Sequence, residues 1–196
     1  ATKFEYIGSF GDDDRVFFVR SDTGIRSIDD LKTTKKTVLF GASRTPTSGY
    51  LAPELLRRDQ KLNIKVIPGF GGGTPGRLLA VERGEIQGNY NAYQSLQRSK
   101  SDWLKKNFIR ILAKTGRRRN LGKIPQTEDL LSPESNQILR LAQPLWGVPL
   151  LVAPGTNSKA LRALRQGFEA MVKAPAFVAQ AGKLGIILDH IDANGL

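Results

Sequence analysis

The stretch Lys65-Val66-Ile67-Pro68-Gly69-Phe70-Gly71-Gly72-Gly73-Thr74-Pro75-Gly76-Arg77-Leu78-Leu79-Ala80-Val81-Glu82-Arg83-Gly84-Glu85-Ile86-Gln87-Gly88 decides the reading of the chain. Ile64 to Ile67 predicts a short strand, because β-branched residues dominate it. The glycine-rich turn that follows can take backbone shapes closed to other residues. Thr74 fits a helix N-cap and Pro75 the first helical position. Leu78, Leu79, Val81 and Glu82 continue the helix, and Gly84 stops it as a left-handed C-cap. Ile86 starts the next strand. Such a strand, loop, helix, strand unit aims unpaired N–H groups at whatever sits above the loop. Those groups and the helix dipole both favour an anion.

A ligand-free glycine turn is the competing reading of the same loop. Two nucleotide motifs are excluded. A P-loop ends in Gly-Lys-Ser or Gly-Lys-Thr, and the chain has neither. A dinucleotide fingerprint carries an acid about 20 residues on, and Gln87 to Tyr93 has none.

The chain has 196 residues, enough for one large domain or two small ones. No apolar run approaches the roughly 20 residues that cross a bilayer. Ala1-Thr2-Lys3-Phe4 does not read as a signal peptide, so in an exported protein the signal would already be gone. With no cysteine, disulfide and thiol chemistry are excluded. The formal net charge of +12 is uneven. Arg98 to Lys123 holds ten basic residues against one acid, Asp102. Such a patch can bind nucleic acid, or it can be a solvated face that draws in anionic solutes. Arg117-Arg118-Arg119 reads as a loop, and no stacking aromatics, zinc-finger spacing or helix-turn-helix pattern accompanies it. The expectation is therefore no nucleic-acid partner.

Taken in order, Phe4–Phe10 and Val16–Val19 read as strands around a turn at Gly11 to Asp14. Ser27 caps a short helix through Leu31, and Thr37–Phe40 is a buried strand. Gly41 to Tyr50 forms a second glycine, serine and threonine loop before a helix that carries Leu51, Leu55 and Leu56 inward. Pro53 is tolerated if that helix starts near Tyr50 or is kinked there. Ser43, Thr45, Thr47 and Ser48 supply four hydroxyls, more than helix capping requires. Tyr90–Leu96 reads as helical, Trp103 and Leu104 as amphipathic, and Ile109–Ala113 as a strand. Thr127 and Ser132 each look like helix caps. Gly147–Val152 reads as a strand and Ser158–Val172 as an amphipathic helix with Leu161, Leu164, Phe168 and Met171 on one face. Ala174-Pro175 opens a helix to about Lys183, and Ile186–Leu188 closes the chain as a strand. Alternating strands and helices predict a parallel α/β sheet.

No catalytic set emerges. His190 is the sole histidine, beside Asp189 and Asp192. There is no Gly-x-Ser-x-Gly elbow and no metal-ligand cluster. The chain is expected to be a binding protein with no cofactor. An enzyme acting on a small anion through the same two loops is the alternative.

The residues also resemble a family. Tyr6-Ile7-Gly8-Ser9, Asp30-Leu31-Lys32, Phe40-Gly41-Ala42-Ser43 with Ser48-Gly49-Tyr50, Lys65 to Gly72, Val81 to Gly88, Ile124 to Glu128 and Val152 to Thr156 follow, in order and spacing, the substrate-binding proteins of tripartite tricarboxylate transporters. The resemblance implies a periplasmic-binding-protein-like (type II) α/β fold. It implies one intact lobe over residues 20–144 and part of a second from 1–19 and 145–196. It implies a periplasmic receptor that captures a small organic carboxylate between lobes and delivers it to membrane transporter subunits. The ligand residues would be Ser43, Thr45, Thr47, Ser48, Gly69, Phe70, Gly71, Gly72, Gly73, Thr74 and Gln87. Gln87 stands where the family often carries an aspartate. The family's opening strand and glycine loop are absent, so an unpaired sheet edge and an exposed apolar face around Leu161–Met171 are expected, and with them self-association. Val16–Val19 and Val148–Val152 would pair as hinge strands.

Overall fold

The computed structural model describes residues 4–11, 14–116, 121–143, 147, 149–184, 186 and 188–196. Asp12, Asp13, Arg117, Arg118, Arg119, Val148 and Ile187, each given a place above, lie outside them. In chain order the elements are β1 (Glu5–Ser9), β2 (Arg15–Arg20), α1 (Ile28–Thr33), β3 (Val38–Gly41), α2 (Ser48–Gln60), β4 (Ile64–Ile67), α3 (Gly73–Arg83), β5 (Gly88–Ala92) and α4 (Tyr93–Ser99). There follow α5 (Ser101–Lys105), β6 (Ile109–Thr115), α6 (Thr127–Leu130), α7 (Pro133–Ala142), β7 (Pro149–Val152), α8 (Ser158–Lys173), α9 (Pro175–Lys183) and β8 (Ile191–Asp192). The chain divides into two compact units, Asp14–Pro144 and Ala1–Asp13 with Leu145–Leu196.

The larger unit is built on a sheet in the order β4-β3-β5-β2-β6. β3 runs parallel to β4 and β5, whereas β2 runs antiparallel to β5 and β6. The sheet is therefore mixed, which corrects the all-parallel expectation. The reason lies in β2, whose Val16, Phe17, Phe18 and Val19 are all fully buried. An apolar run of that kind needs neighbours on both edges and cover on both faces. Phe17 and Val19 join a core with Phe40, Leu55, Leu56 and Tyr90 on one face. Val16 and Phe18 join Leu78, Val81, Ile86, Leu96 and Trp103 on the other. β2 is thus an inner strand of the five-stranded sheet, whereas the strand at 149–152 belongs to the smaller unit's sheet. There β7 bonds to β1.

Local chemistry starts several of these elements as expected. Ser27 accepts from the Asp30 N–H while the Asp30 carboxylate accepts from the Ser27 N–H, a capping box that opens α1. Ser132 caps α7 by accepting from the Ser135 N–H, with Pro133 in the first turn. Gly84 ends α3 at φ 76°, the left-handed C-cap the sequence predicts. Other boundaries moved. α2 begins at Ser48, which leaves Pro53 inside it. Tyr90 lies in β5, and the helix expected from it begins at Tyr93.

The smaller unit is an antiparallel sheet, β7-β1-β8, with α8 packed on β1. Gly8 lets Phe168 reach the strand, since a Cβ there would enter the Phe168 ring. Phe10 stands 5.5 Å from Phe168 and 6.1 Å from Phe177, centroid to centroid. Arg165 Nε donates to the Tyr6 carbonyl at 2.8 Å. Phe168 and Val172 are buried and Leu161 and Met171 half-buried, while Leu164 alone of the named face is exposed. Of the apolar face expected to lie open, Phe168 is covered by Gly8 and Phe10 of its own unit. The closing strand is β8 rather than Ile186–Leu188; Ile186 and Leu188 belong to no strand. His190 Nε2 lies 3.5 Å from the Glu169 carboxylate.

Candidate functional site: an oxyanion cradle at the strand ends

The parallel strands β3, β4 and β5 end at one edge of the larger unit's sheet. Arg15, opposite Ala92 and Thr115, brings the start of β2 and the end of β6 to the same edge. Ligands of open α/β sheets sit beyond the carboxyl ends of such strands. The loops after β3 and β4 are tied together there by main-chain bonds. Ala42 N–H donates to the Ile67 carbonyl at 2.8 Å, Gly69 N–H to Ser43 at 3.0 Å and Phe70 N–H to Ala42 at 3.1 Å. Both loops run straight into helices, α2 and α3, and neither helix has a side-chain N-cap bond or an acid in its first turn. Two helix starts with uncapped N–H groups thus share one edge, an arrangement that favours negative charge.

The hydroxyls divide between loop structure and ligand. Thr47 Oγ1 donates to the Arg44 carbonyl at 2.8 Å, which holds the turn before α2. Among the described residues Ser43, Thr45 and Ser48 spend their hydroxyls on no hydrogen bond. Gly69, Gly71, Gly72 and Gly73 are exposed, and Gly69, Gly72 and Gly73 adopt positive φ of 101°, 71° and 62°. Only glycine takes such a run without strain. The expected Thr74 cap is corrected by this geometry. Gly72 is the N-cap and Gly73 the first helical residue, so Thr74 lies one position inside. Phe70 is half-buried, with its ring against Gly41 and the second core.

Gln87 does not join this edge. It sits at the opposite end of the parallel strands. There its Oε1 accepts from the Leu39 N–H at 3.1 Å and its Nε2 donates to the Gly84 carbonyl at 3.1 Å. Its amide is used to hold the β3–β5 ladder and the end of α3. It lines an open depression with Arg20, Thr37 and Lys36 rather than the loops.

Three polar residues outside the expected set do stand at the loop edge. Asn91 and Asn89 alternate on the α3 face of β5, both buried. Asn89 Nδ2 donates to the Gly41 carbonyl at 2.8 Å and so fixes the end of β3. Thr74 Oγ1 donates to Asn91 Oδ1 at 3.3 Å and accepts from Arg77 Nη2 at 3.3 Å. The available signals were Asn-Tyr-Asn alternation in a buried strand and a basic residue three positions after Thr74. On the other face Tyr90 is fully buried. Its hydroxyl has one proton, so it donates to Gln143 Oε1 and accepts from Thr115 Oγ1, each at 2.8 Å. Burial raises its pKa.

Gly76 closes the loop over α3: a Cβ there would collide with the Gly71 carbonyl oxygen. Gly76→Ala is expected to cost about 1–2 kcal/mol, because a backbone atom must move to admit the methyl. Urea denaturation of the variant checks this, and an unchanged midpoint would show that the loop does not need this close approach.

Residues 11–185 match the family described as "ABC transporter, phosphonate, periplasmic substrate-binding protein". The chain belongs to this periplasmic substrate-binding family. No curated protein sequence matches it. Among solved structures, a TctC solute-binding protein from Polaromonas without ligand matches at a TM-score of 0.68 and 16% identity. That match covers 97% of this chain and 63% of that one. Rpa4515 of R. palustris, solved with adipate, matches at 0.64 and 16% identity over 98% and 62%. MatC (Rpa3494) from Rhodopseudomonas palustris, with bound malate, matches at 0.60 and 13% identity over 94% and 60%. At these identities the likeness is one of fold. It bears out the periplasmic-binding-protein architecture and the resemblance to tricarboxylate-type receptors at that level. The chain spans about three-fifths of the length of these structures. Among the described residues no helix is long and apolar enough to cross a membrane. None of their His, Asp and Glu side chains gather in a group that could hold a metal.

Proposed function

We propose that the chain is the solute-binding part of a periplasmic receptor that takes a small organic oxyanion, a carboxylate or phosphonate, and passes it to a membrane transporter. The observation that carries this reading is the pair of uncapped helix starts at adjacent strand ends, locked side by side by the three bonds between their loops. Backbone N–H groups and the hydroxyls of Ser43, Thr45 and Ser48 replace water around the anion, and charge-assisted bonds of this kind are the strong ones. The family match and the adipate and malate complexes of the fold neighbours support the same ligand class. The net charge of +12 raises the local concentration of anions.

Isothermal titration calorimetry with adipate, malate and methylphosphonate, set against a nucleotide and a DNA duplex, tests the proposal. Binding of at least one organic acid, and neither nucleotide nor DNA, is the expected result. Heat from the nucleotide or the duplex alone would overturn it. For an acid that binds, Ser48→Ala is expected to weaken affinity by about 0.5–2 kcal/mol, the loss of one hydrogen bond to a charged group. Equal affinity in the variant would remove that hydroxyl from the site.

A further inference from the structure

We infer that Arg77, Asn91 and Thr74 form a preformed subsite, at the first turn of α3, that holds the charged group of an oxyanion ligand. This deepens the proposed function and rests on it for the identity of the solute, but it stands on its own observations. Asn91 is 2% exposed, and its Nδ2 has no hydrogen-bond partner. Arg77 Nε is also buried without a partner, and among the described residues no carboxylate pairs with this guanidinium. Native proteins pair nearly all such groups, and an orphaned donor costs its full desolvation penalty. Here two orphaned donors flank one hydroxyl, that of Thr74, which contacts both side chains. The same spot is the start of an eleven-residue helix with no capping side chain. The groups left without a partner there are donors: the Arg77 Nε–H, the Asn91 Nδ2 amide and the uncapped N–H groups of the first turn. A group bearing two or more oxygens with full negative charge satisfies all of them.

The electrostatics agree. Burial, and after it the nearby Arg15 guanidinium, lower the pKa of Arg77. An unpaired, half-buried cation beside a second cation destabilises the empty protein, a cost that residues serving stability alone do not carry. Arg77 is therefore a selectivity residue. It admits a charged oxyanion and rejects the neutral amide or ester of the same shape, because a neutral group leaves the buried charge unmatched.

Two variants and two readouts test this. Arg77→Met keeps the aliphatic stem and removes the charge. Asn91→Asp builds a carboxylate into the subsite itself. Both are expected to fold with a melting temperature equal to or above that of the wild type. Both are expected to lose at least tenfold in affinity for whichever of adipate, malate or methylphosphonate the wild type binds. Wild-type protein is expected to bind the neutral diamide of that acid at least tenfold more weakly, a gap that Arg77→Met closes. If both variants melt well below wild type, Arg77 and Asn91 are structural and the inference fails. If they melt normally and bind the acid within twofold of wild type, the subsite is wrong while the receptor reading stands. If no organic acid binds but sulfate raises the melting temperature of wild type and not of Arg77→Met, the subsite stands and the solute class is wrong. If no anion has any effect on wild type, both fall.

Discussion

Phe40→Ala is expected to cost about 3–5 kcal/mol, the range for truncating a buried aromatic. Phe40 is fully buried in the second strand of the five-stranded sheet. Its ring stacks on Phe17, with centroids 4.5 Å apart and planes 14° from parallel. The ring also lies over Gly88, where any Cβ would collide with it. Three strands, β2, β3 and β5, therefore meet at this one side chain. The cavity left by alanine lies inside a close-packed core with Phe17, Leu55, Leu56 and Tyr90, whose side chains relax only partly into it. Chemical denaturation with an unchanged slope and a lower midpoint is the expected signature. A loss below about 1 kcal/mol would mean that the Phe17–Phe40 stack is not the keystone of this face.

Asp59 carries the second large effect, and it depends on pH. The residue sits at the end of α2 with its side chain 11% exposed. Its carboxylate accepts from the Ser132 N–H at 2.9 Å and from Arg58 Nε at 3.0 Å. Arg58 in turn donates to Ser135 Oγ at 2.6 Å, so one carboxylate ties α2 to the start of α7. Burial pushes the Asp59 pKa up, but hydrogen bonds from Ser135, the Ser132 N–H and Arg58 outweigh it and hold the group at about 2, below the ordinary 3.8. The sign follows from a lowered folded pKa. The contribution is complete above the unfolded value and is lost as pH falls from about 4 toward 2. Asp59→Asn keeps the size and removes the charge, and is expected to cost about 2 kcal/mol at neutral pH, since bonds to a charged acceptor are the strong ones. Measured by denaturation across pH, the gap between wild type and Asp59→Asn should shrink between pH 4 and pH 2. A gap of constant size over that window would show that Asp59 titrates normally.

How much of this was legible beforehand depended on the range of the interaction involved. Gly84, Ser27 and Ser132 match their sequence expectation because each answers to a constraint within four residues of itself. β4 was read to the residue for the same reason, a β-branched run between turn signals. Thr74 was misread as a cap because its hydroxyl serves Asn91, seventeen positions away. Tyr90 was assigned to a helix because local spacing does not report that β5 is paired on both edges, with β3 and β2. Gln87 is expected among the ligand residues because the resembled family often carries an aspartate at that position. It lies at the other end of the strands, where its amide serves Leu39 and Gly84.

The sequence by itself determined the local vocabulary of this protein: two β-loop-α units, their glycine turns, the absence of thiol chemistry and a strongly basic charge. It pointed to a small anion for the same reason, since helix starts and glycine loops act through their own backbone. Only the tertiary structure decided that β2 inserts antiparallel between β5 and β6. It alone decided that the loops after β3 and β4 bond to each other, and that Arg77 and Asn91 meet at Thr74 with donors left over. Strand order and side-chain convergence depend on pairing between distant residues. A chain read along its length carries the propensities of each segment but not the partner each will bury itself against.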